Sequence, residues 1–438
     1  MRKSLLALIG ASLLFSSTIF GSELADNIKQ DYDEYLALLF DHFHRNPELS
    51  LIEHETAARM AAELRAAGFD VAEGVGGTGI VAMFENGDGP LVMMRADMDG
   101  LPVEEKSGLE NASRKQQQSP ITGDTVYVMH ACGHDMHITS LVGTARQMSA
   151  RTDEWSGTLM LVVQPAEERG LGANMMRDDK IWERFGQPDY ALSLHVTSRG
   201  VAGDIILGKS PYAGVDTVDI IVHGVGTHGA APHRGKDPVV LGSQIVLALQ
   251  TLVARELPPR EPGVVTIGSF HSGTKHNIIS DRAHLQLTVR NTSPETRELL
   301  LNGIKRIAEN LGRAAGLSED MLPEVIIADG AAPPTINEDE LMARLRDAWV
   351  TNIGQDALVS NPAGGMLAED FPSFTNDPYV PGVYWEIGGT PAEDFEREEA
   401  GGAPVPSNHS PLFKILPEPS VRAGVESTVV ALLELMGD

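Results

Sequence analysis

Hydrophobic and polar positions along the first part of the chain repeat with two different periods. Apolar residues recur at helical spacing through Ile52–Leu64, and Gly68 follows at the point where a helix would end. Two apolar runs, Gly79–Phe84 and Leu91–Arg95, have the length of buried strands. The turn-forming residues at 86–89 join these two runs and predict a β-hairpin.

Further strands and a helix continue this pattern downstream. We predict strands at Thr158–Val163 and Tyr190–His195, and a helix over about Ile138–Met148. Strands that alternate with helices indicate an α/β domain. Because the strands are nearly continuous apolar runs, we expect a largely buried, mixed and mostly parallel sheet.

The stretch Tyr212–Asp329 predicts a different architecture. Its elements follow the order strand, helix, strand, strand, helix, strand, which is that of a ferredoxin-like α+β unit. The predicted elements are Thr217–His223, Pro238–Val253, Val264–Phe270, Ala283–Arg290, Pro294–Ala315 and Glu324–Ala328. Such a unit would stand as a compact domain inserted into the α/β domain.

These patterns divide the chain into a leader and two domains, the first of which is interrupted by the second. The predicted parts are a signal peptide at 1–25, a catalytic domain at 26–211 and 330–438, and the inserted domain at 212–329. In the last part, Pro391–Pro406 is rich in Gly, Pro and Glu and predicts a surface loop. A helix is predicted at Val421–Met436.

The N-terminus has the layout of a secretory signal. Arg2 and Lys3 precede an apolar run at Leu5–Phe20, and the small residues Gly21 and Ser22 follow it. We therefore expect an exported protein, periplasmic or secreted, whose mature chain begins within Gly21–Asp26. An uncleaved membrane anchor is the alternative interpretation of the same run.

Composition narrows the classes of partner and the roles open to cysteine. The chain has 438 residues, of which 42% are hydrophobic and 22% charged, and its formal net charge is -27. Such an acidic chain is a poor partner for nucleic acid, because phosphate binding needs a concentrated basic surface. The single cysteine, Cys132, excludes an internal disulfide and leaves an inert buried thiol or a metal-bound thiolate.

Ionisable residues follow three of the predicted strands. They are Asp97 and Asp99 after the second apolar run, Glu167 and Glu168 after the third strand, and His195 at the end of the fourth. In open α/β sheets, sites form outside the carboxyl ends of the strands. We therefore expect these side chains to meet at one edge of the sheet.

A segment rich in metal-binding residue types lies between these strands. It reads HACGHDMH over His130–His137 and contains Cys132 and His134, and His409 lies far downstream. A single histidine is more often structural than a ligand, but the set together favours a metal site. The adjacent Glu167 and Glu168 suit a divided task, in which one binds metal and the other takes a proton from water.

Motifs along nearly the whole mature chain carry a family resemblance. They are RADMDGLP at 95–102, the HACGHDMH segment, QPAEE at 164–168, LHV at 194–196, GTHGAAPH at 226–233, NII at 277–279, TVR at 288–290, EDF at 369–371 and HSP at 409–411. The sequence resembles the aminoacylase and carboxypeptidase-type family of dinuclear metallohydrolases. Within it, the sequence is most similar to the branch of hippurate hydrolases, N-acyl-amino-acid amidohydrolases and indole-acetyl-amino-acid hydrolases.

The resemblance implies a role for each matching position. Two divalent ions, zinc or manganese, would be held by Cys132, His134, Glu168, His195 and His409. Glu167 would be the general base, and Asp99 would orient a ligand. His228 would polarise the scissile carbonyl in a partner subunit's site, and Asn277 and Arg290 would hold the substrate's oxygen and carboxylate. The inserted domain would form a homodimer.

Substitutions around these motifs leave the choice of substrate open. Gly224-Val225-Gly226-Thr227 and Ala368 depart from the family's usual residues, and Lys115–Ser119 resembles an insertion. The favoured substrate is an N-acyl amino acid. A dipeptidase or carboxypeptidase of the same fold is the first alternative, although those relatives usually have Asp where Cys132 stands. A non-catalytic exported binding protein is the second.

Overall fold

The computed structural model describes residues 21–328, 331–360 and 365–437. These residues form two compact units. The first comprises the described residues within Met1–Pro211, Ile336–Ala363 and Ser373–Asp438. The second comprises those within Tyr212–Thr335 and Gly364–Pro372. The second unit therefore runs beyond Asp329, where the sequence predicts its end, and takes in a short later segment.

The strands are numbered along the chain. They are β1 (Asp70–Val75), β2 (Gly79–Asn86), β3 (Leu91–Asp97), β4 (Gln116–Gln118), β5 (Thr125–Tyr127), β6 (Gly157–Gln164), β7 (Tyr190–Val201), β8 (Ile205–Leu207), β9 (Gly214–His223), β10 (Thr227–His228), β11 (Gly263–Ser272), β12 (Ile278–Ile279), β13 (Arg282–Asn291), β14 (Glu324–Ile327), β15 (Leu358–Ser360) and β16 (Gly382–Thr390).

The α-helices are numbered in the same way, and the first of them continues through a π-helical turn at Tyr32–Leu36 into the second. They are α1 (21–31), α2 (Ala37–Arg45), α3 (His54–Ala66), α4 (His134–Ser149), α5 (Gly172–Asp178), α6 (Ile181–Phe185), α7 (Pro238–Thr251), α8 (Pro294–Ala314), α9 (Asp339–Asn352), α10 (Pro372–Thr375), α11 (Ala392–Glu399) and α12 (Pro417–Met436).

An eight-stranded mixed sheet forms the centre of the first unit. Its strand order is β1-β2-β6-β3-β7-β16-β8-β15, and the central strands β6, β3, β7 and β16 are mutually parallel. Helix α4 is buried along nearly its whole length and packs against β3, β7 and α12. The predicted mixed, mostly parallel sheet is confirmed. The parallel strands matter for function because their carboxyl ends lie at one edge.

The second unit is a four-stranded antiparallel sheet with two helices. The strand order is β11-β13-β9-β14, and α7 and α8 pack against the sheet around a separate hydrophobic core. The chain order strand, helix, strand, strand, helix, strand is the predicted ferredoxin-like one, and this prediction is confirmed.

Within the described residues, one helical stretch, Pro238–Glu256, is long and apolar enough to cross a membrane. Core helices of many soluble proteins have the same length and composition.

The predicted hairpin between the first two apolar runs is wrong. β2 and β3 do not pair with each other, because β6 lies between them, antiparallel to β2 and parallel to β3. The chain does bend at residues 87–89 after β2, but a turn signal is local and cannot say which strand pairs with which. The predicted surface loop at Pro391–Pro406 likewise contains α11, whose first turn carries Glu393 and Asp394, acidic residues that favour a helix N-terminus.

Most of the predicted signal lies outside the described residues, including Arg2, Lys3 and the apolar run at Leu5–Phe20. Residues 21–25, which the sequence assigns to the signal, belong to α1. Leu24 in this helix is 1% exposed and packs into the core of the first unit together with Ile28.

Candidate metal centre and its surroundings

The candidate site lies at the carboxyl ends of the parallel strands β6, β3 and β7. β3 ends at Asp97, which lies opposite Gln164 at the end of β6. β7 runs parallel to β3 on its other side and carries His195. The loops after β3 and β6 supply Asp99, Glu167 and Glu168 at the same edge. The predicted meeting of these side chains at one edge of the sheet is what the topology produces.

Cys132 lies between two imidazoles. Its Sγ is 3.3 Å from Nε2 of His195 and 3.1 Å from Nε2 of His409. Nδ1 of His195 lies 2.6 Å from the carbonyl oxygen of Val196, so Nε2 is the nitrogen that faces the sulfur. The side-chain amide of Asn408 donates to the carbonyl oxygens of Cys132 and Val196 and so ties the His409 loop to the cluster.

His134 is the first residue of α4 and stands among four carboxylates. Its Nδ1 is 3.4 Å from Asp99, and its Nε2 is 3.7 Å from Asp97. The same Nε2 lies 3.9 Å from both Glu167 and Glu168. Its side chain is fully buried. A nitrogen donor surrounded by carboxylate oxygens at this range is a suitable setting for a divalent cation.

Overlapping donor sets connect these residues. In each set the ligand atoms lie within 4.8 Å of one another, and the sets are Cys132–His134–His195, Cys132–Glu168–His409 and His134–Glu167–Glu168. Cys132, His134 and Glu168 each belong to two of these three sets. Shared donors of this kind fit two neighbouring ions better than one.

Buried donor atoms without partners support a metal at this place. Within the described part of the chain, neither ring nitrogen of His134 makes a hydrogen bond, and neither does Oε1 of Glu168. Leaving a buried polar atom unpaired costs about 1–3 kcal/mol. Coordination to a cation would satisfy Nε2 of His134 and Oε1 of Glu168, and the protonated Nδ1 of His134 would then face the Asp99 carboxylate 3.4 Å away. The mixture of thiolate, imidazole and carboxylate suits zinc and also accommodates manganese.

The electrostatics of the cluster favour positive charge at its centre. Burial lowers the pKa of His134, but Asp97, Asp99 and Glu168 outweigh it and raise that pKa to about 10. Burial raises the pKa of Glu168 to about 8, against the opposing effect of His134 and with the support of Asp99 and Asp97. Burial also raises the pKa of the Cys132 thiol. Neighbouring carboxylates contribute to all three shifts, so divalent cations among them would reduce the shifts.

A tight turn presents the two glutamates. It follows β6 and passes through Ala166, whose backbone is left-handed at φ 49° and ψ 36°. The backbone N–H groups of Glu167 and Glu168 both donate to the carboxylate of Asp99, each at 3.1 Å. The hydroxyl of Ser50 donates to the same carboxylate at 2.6 Å. Asp99 thus accepts three hydrogen bonds and fixes the turn as well as facing His134.

The other three predicted site residues lie in the second unit. His228 in β10 pairs with Ile278 in β12, and the N–H of Gly229 donates to the carbonyl of Asn277 at 2.8 Å, so His228 and Asn277 are neighbours. Both side chains are exposed. Arg290 lies in β13, and its side chain makes no ion pair within the described residues.

The chain is similar to proteins of known family. The sequence profile described as peptidase family M20/M25/M40 matches residues 93–403. The chain belongs to this family. It is 34% identical over 399 residues to "Thermostable carboxypeptidase 2" of Saccharolobus solfataricus, which covers 89% of this chain and 94% of the relative. It is 35% identical over 333 residues to "Hippurate hydrolase" of Campylobacter jejuni, which covers 76% of this chain and 82% of the relative.

A solved structure carries the same fold. The YXEP protein of Bacillus subtilis, described as a dinuclear metal binding peptidase from the M20 family, superimposes with a TM-score of 0.75 at 25% identity, covering 93% of this chain and 99% of the other. The predicted family and fold are confirmed, as is the prediction of a metal-dependent amidohydrolase. This M20 chain therefore has both the fold and the donor sets of a metallohydrolase.

The sequence only partly predicts a buried network behind the candidate metal centre. Arg95 donates to Asp97 at 2.6 Å, and the other oxygen of Asp97 lies 2.5 Å from Nδ1 of His137. Nε2 of His137 accepts from the N–H of Val196 at 2.8 Å, beside His195. Burial lowers the pKa of His137 to about 3, despite Asp97, so the ring is neutral and can accept this bond. The spacing of residues in HACGHDMH points to His137 as a polar residue near the site, but it does not predict its role.

A second buried group was missed altogether. His44 lies between two carboxylates, 2.7 Å from Asp135 and 3.3 Å from Glu105. Burial lowers its pKa, but the hydrogen bond to Asp135 and the negative charge of Glu105 outweigh burial and raise that pKa to about 10. His44 is therefore an imidazolium that ties α2 to the start of α4, next to His134. No local pattern marks His44, because its partners come from distant parts of the chain.

Proposed function

We propose that this chain hydrolyses the amide bond of N-acyl amino acids, using two divalent ions held by Cys132, His134, Glu168, His195 and His409. The observation that carries the proposal is the position of the Cys132 sulfur between two imidazoles, 3.3 Å and 3.1 Å away, beside a pair of adjacent glutamates. When bound, such ions lower the pKa of a water to about 7 and polarise a carbonyl.

Glu167 and Glu168 have different proposed roles. Glu168 belongs to the donor sets of both Cys132 and His134, and its Oε2 lies 3.4 Å from His409. Glu167 belongs to the His134 set but not to the Cys132 set. These memberships support Glu168 as the ligand and Glu167 as the general base that accepts a proton from water. Glu167 then returns this proton to the nitrogen of the leaving amine.

Substrate recognition falls to the second unit. Arg290 is half-buried, burial lowers its pKa, and it has no ion-pair partner among the described residues. A guanidinium in this state suits the carboxylate of an amino acid, which it can bind through two hydrogen bonds. Asn277 supplies an amide for a substrate oxygen, and His228 supplies an imidazole for the scissile carbonyl. These three roles follow the family resemblance.

The remaining expectations concern assembly and location. A homodimer through the second unit is supported by apolar side chains on the surface of α7, among them Val240 at 54% exposed and Leu247 at 72%. Export is supported by the basic head and apolar run before α1. Because Leu24 is already part of the core, cleavage close to Gly21 suits the fold best.

A substrate panel tests the proposed function. Purified protein would be stripped of metal, reloaded with zinc, manganese or cobalt, and assayed against N-acetyl, N-benzoyl and N-indoleacetyl amino acids. Free and N-blocked dipeptides would be assayed in parallel. Metal-dependent release of the amino acid from acyl substrates, with little activity on dipeptides, is the expected result. Failure of every metal form on every acyl substrate would exclude the proposal.

A carboxypeptidase is the second candidate. Its support is the 34% identity to a relative named thermostable carboxypeptidase, over 94% of that relative's length. Both activities need a free carboxylate on the substrate, so Arg290 does not separate them. The panel does, because a carboxypeptidase would cleave N-blocked dipeptides faster than simple acyl amino acids. An exported protein that binds without catalysis is the third candidate, and it would hydrolyse neither class.

A further inference from the structure

Glu53 is a buried carboxylate that no step of the proposed function uses. It directly precedes α3, is 0% exposed, and has no cation within ion-pair distance among the described residues. Its side chain does not cap its own helix. Burying a carboxylate without a cation is unfavourable unless several hydrogen bonds compensate it. The partners of Glu53 therefore indicate what the carboxylate is for.

Those partners are three neutral donors from separate segments. Oε1 accepts from the N–H of Leu51 and from the N–H of Ala166, each at 2.9 Å. Oε2 accepts from the hydroxyl of Thr78, just before β2, at 2.6 Å. One carboxylate thus joins the loop before α3, the start of β2 and the turn that follows β6.

Two of the three donors belong to residues in an unfavourable backbone conformation. Leu51 has φ 76° and Ala166 has φ 49°, and neither is glycine. The left-handed region is disfavoured for residues with a Cβ, so the surroundings must hold them there. At Ala166 the side chain is fully buried, the N–H donates to Glu53, and the carbonyl accepts from the backbone N–H groups of residues 169, 171 and 172.

The left-handed turn at Ala166 has a direct consequence for the site. It redirects the chain after β6 so that the next two N–H groups, those of Glu167 and Glu168, both reach Asp99. Asp99 accepts hydrogen bonds from the N–H groups of Glu167 and Glu168, and Glu53 accepts one from the N–H of Ala166, one residue earlier. Without Glu53, an extended Ala166 would move both glutamates away from the donor sets.

We propose that Glu53 is a positioning residue, which holds Ala166 left-handed and thereby aims Glu168 at the metals and Glu167 at the water. This inference rests on the proposed function, because it uses the roles given there to the two glutamates. It requires hydrogen-bond acceptance by Glu53 but not its negative charge. That distinction makes it testable with side chains of nearly the same size.

The experiment compares Glu53→Met with Glu53→Gln. Gln keeps an oxygen that can accept from Leu51 and Ala166, and its amide can donate to the Thr78 hydroxyl, whereas Met accepts from neither. For Glu53→Met we expect metal content and zinc affinity to fall by about 10–100-fold, and kcat to fall in the same range with KM changed less. For Glu53→Gln we expect both within about threefold of the wild type.

Two further variants separate positioning from general stability. Thr78→Val removes only the bond to Oε2, so it should lower the melting temperature and leave metal content intact. Adding Ala166→Gly to Glu53→Met should restore metal affinity by about tenfold, because glycine adopts positive φ without help. A purely structural role for Glu53 would show no such recovery. If Glu53→Met does not fold, Glu53→Asp, which is too short to reach all three donors, replaces it.

The outcomes distinguish the positioning role from the proposed function. Metal content would be measured by mass spectrometry on dialysed protein, and folding by circular dichroism. The positioning role alone would be overturned if the wild type bound metal and was active, and the Glu53→Met (or Glu53→Asp) variant bound as much metal and was equally active. Wild type that binds no metal and hydrolyses no acyl substrate would overturn the proposed function. Depletion in Glu53→Gln as severe as in Glu53→Met would also overturn the positioning role.

Discussion

The residues proposed for the chemistry and those proposed for substrate recognition lie in opposite kinds of surroundings. In the first unit, His134 and Cys132 are buried, and each contacts several other ionisable groups. In the second unit, His228 and Asn277 are exposed on a two-residue strand pair, and Arg290 makes no ion pair within the described residues. One region is fixed by many contacts, whereas the other has donors available for a ligand.

This difference has a physical origin. A metal centre must hold its donors within tenths of an ångström before the ion arrives, so the surrounding carboxylates and hydrogen bonds must fix each ligand. Substrate-binding groups gain from the opposite arrangement, because a donor already satisfied within the protein contributes little to a ligand. Substitutions in the first region should therefore lower the metal content, whereas substitutions in the second should weaken substrate binding.

The largest effect is expected at the centre of the first region. Cys132→Ala removes the donor that two sets share, so it should release at least one ion and abolish hydrolysis while the fold persists. Metal analysis and circular dichroism would be run on the same sample. Ser243→Ala, an exposed position on α7, serves as the control. A Cys132→Ala variant with full metal content and normal turnover would remove the thiolate from the ligand set.

The next largest effect separates the neighbouring glutamates. Glu167→Gln should keep its ions but lose about 10²–10⁴-fold in kcat, because a general base is missing. Glu168→Gln should instead lose metal affinity, and added metal should partly restore its activity. The two residues have the same type of side chain and are both largely buried, so each is the matched control for the other. Depletion of Glu167→Gln with full loading of Glu168→Gln would reverse the roles.

A smaller effect, of a different kind, is expected in the second region. Arg290→Met removes the guanidinium proposed to bind the substrate carboxylate, and hydrogen bonds to a charged group contribute about 1.5–3 kcal/mol. KM should therefore rise by about 10–100-fold while metal content and kcat stay close to the wild type. Arg306→Met is the control, because Arg306 on α8 is exposed and its ion pair with Glu256 lies at the surface. A loss of metal in Arg290→Met would contradict the division between the two regions.

The sequence alone predicts the fold better than it predicts the contacts within it. The order of elements around Tyr212–Asp329 is correct because alternation and helical spacing are local signals. The pairing of β2 with β6 was missed because it depends on a strand that arrives later in the chain. Predicting it would require knowing which apolar runs are buried side by side.

The same limit applies at the site. Cys132 and His134 stand out because their residue types and spacing suit metal binding. Glu53 and His44 do not stand out, since each is a single polar residue near a helix with partners far away in the sequence. The ligands of a site can thus be predicted from motifs, whereas the residues that hold those ligands in place emerge only from the folded structure.

The smallest effect on turnover is expected at His44, whose contribution is to stability. Its pKa is raised from 6.5 to about 10 in the folded chain, so the folded state binds the proton more tightly than the unfolded state. This stabilisation is fully present below about pH 6.5 and is lost as the pH rises through about 10. His44→Gln leaves Asp135 and Glu105 without a cation, which should lower the free energy of unfolding by about 3–5 kcal/mol at neutral pH.

Urea denaturation of the wild type and His44→Gln across this pH range would measure the effect. The difference between the two proteins should shrink as the pH approaches about 10, because the wild-type imidazole then loses its proton. Asp33→Asn, which breaks an exposed pair with Lys29, is the control and should change stability by less than about 1 kcal/mol at every pH. A difference that stayed constant with pH would mean that His44 is neutral in the folded protein. It would then join α2 to α4 through its hydrogen bond to Asp135, without an ionic contribution.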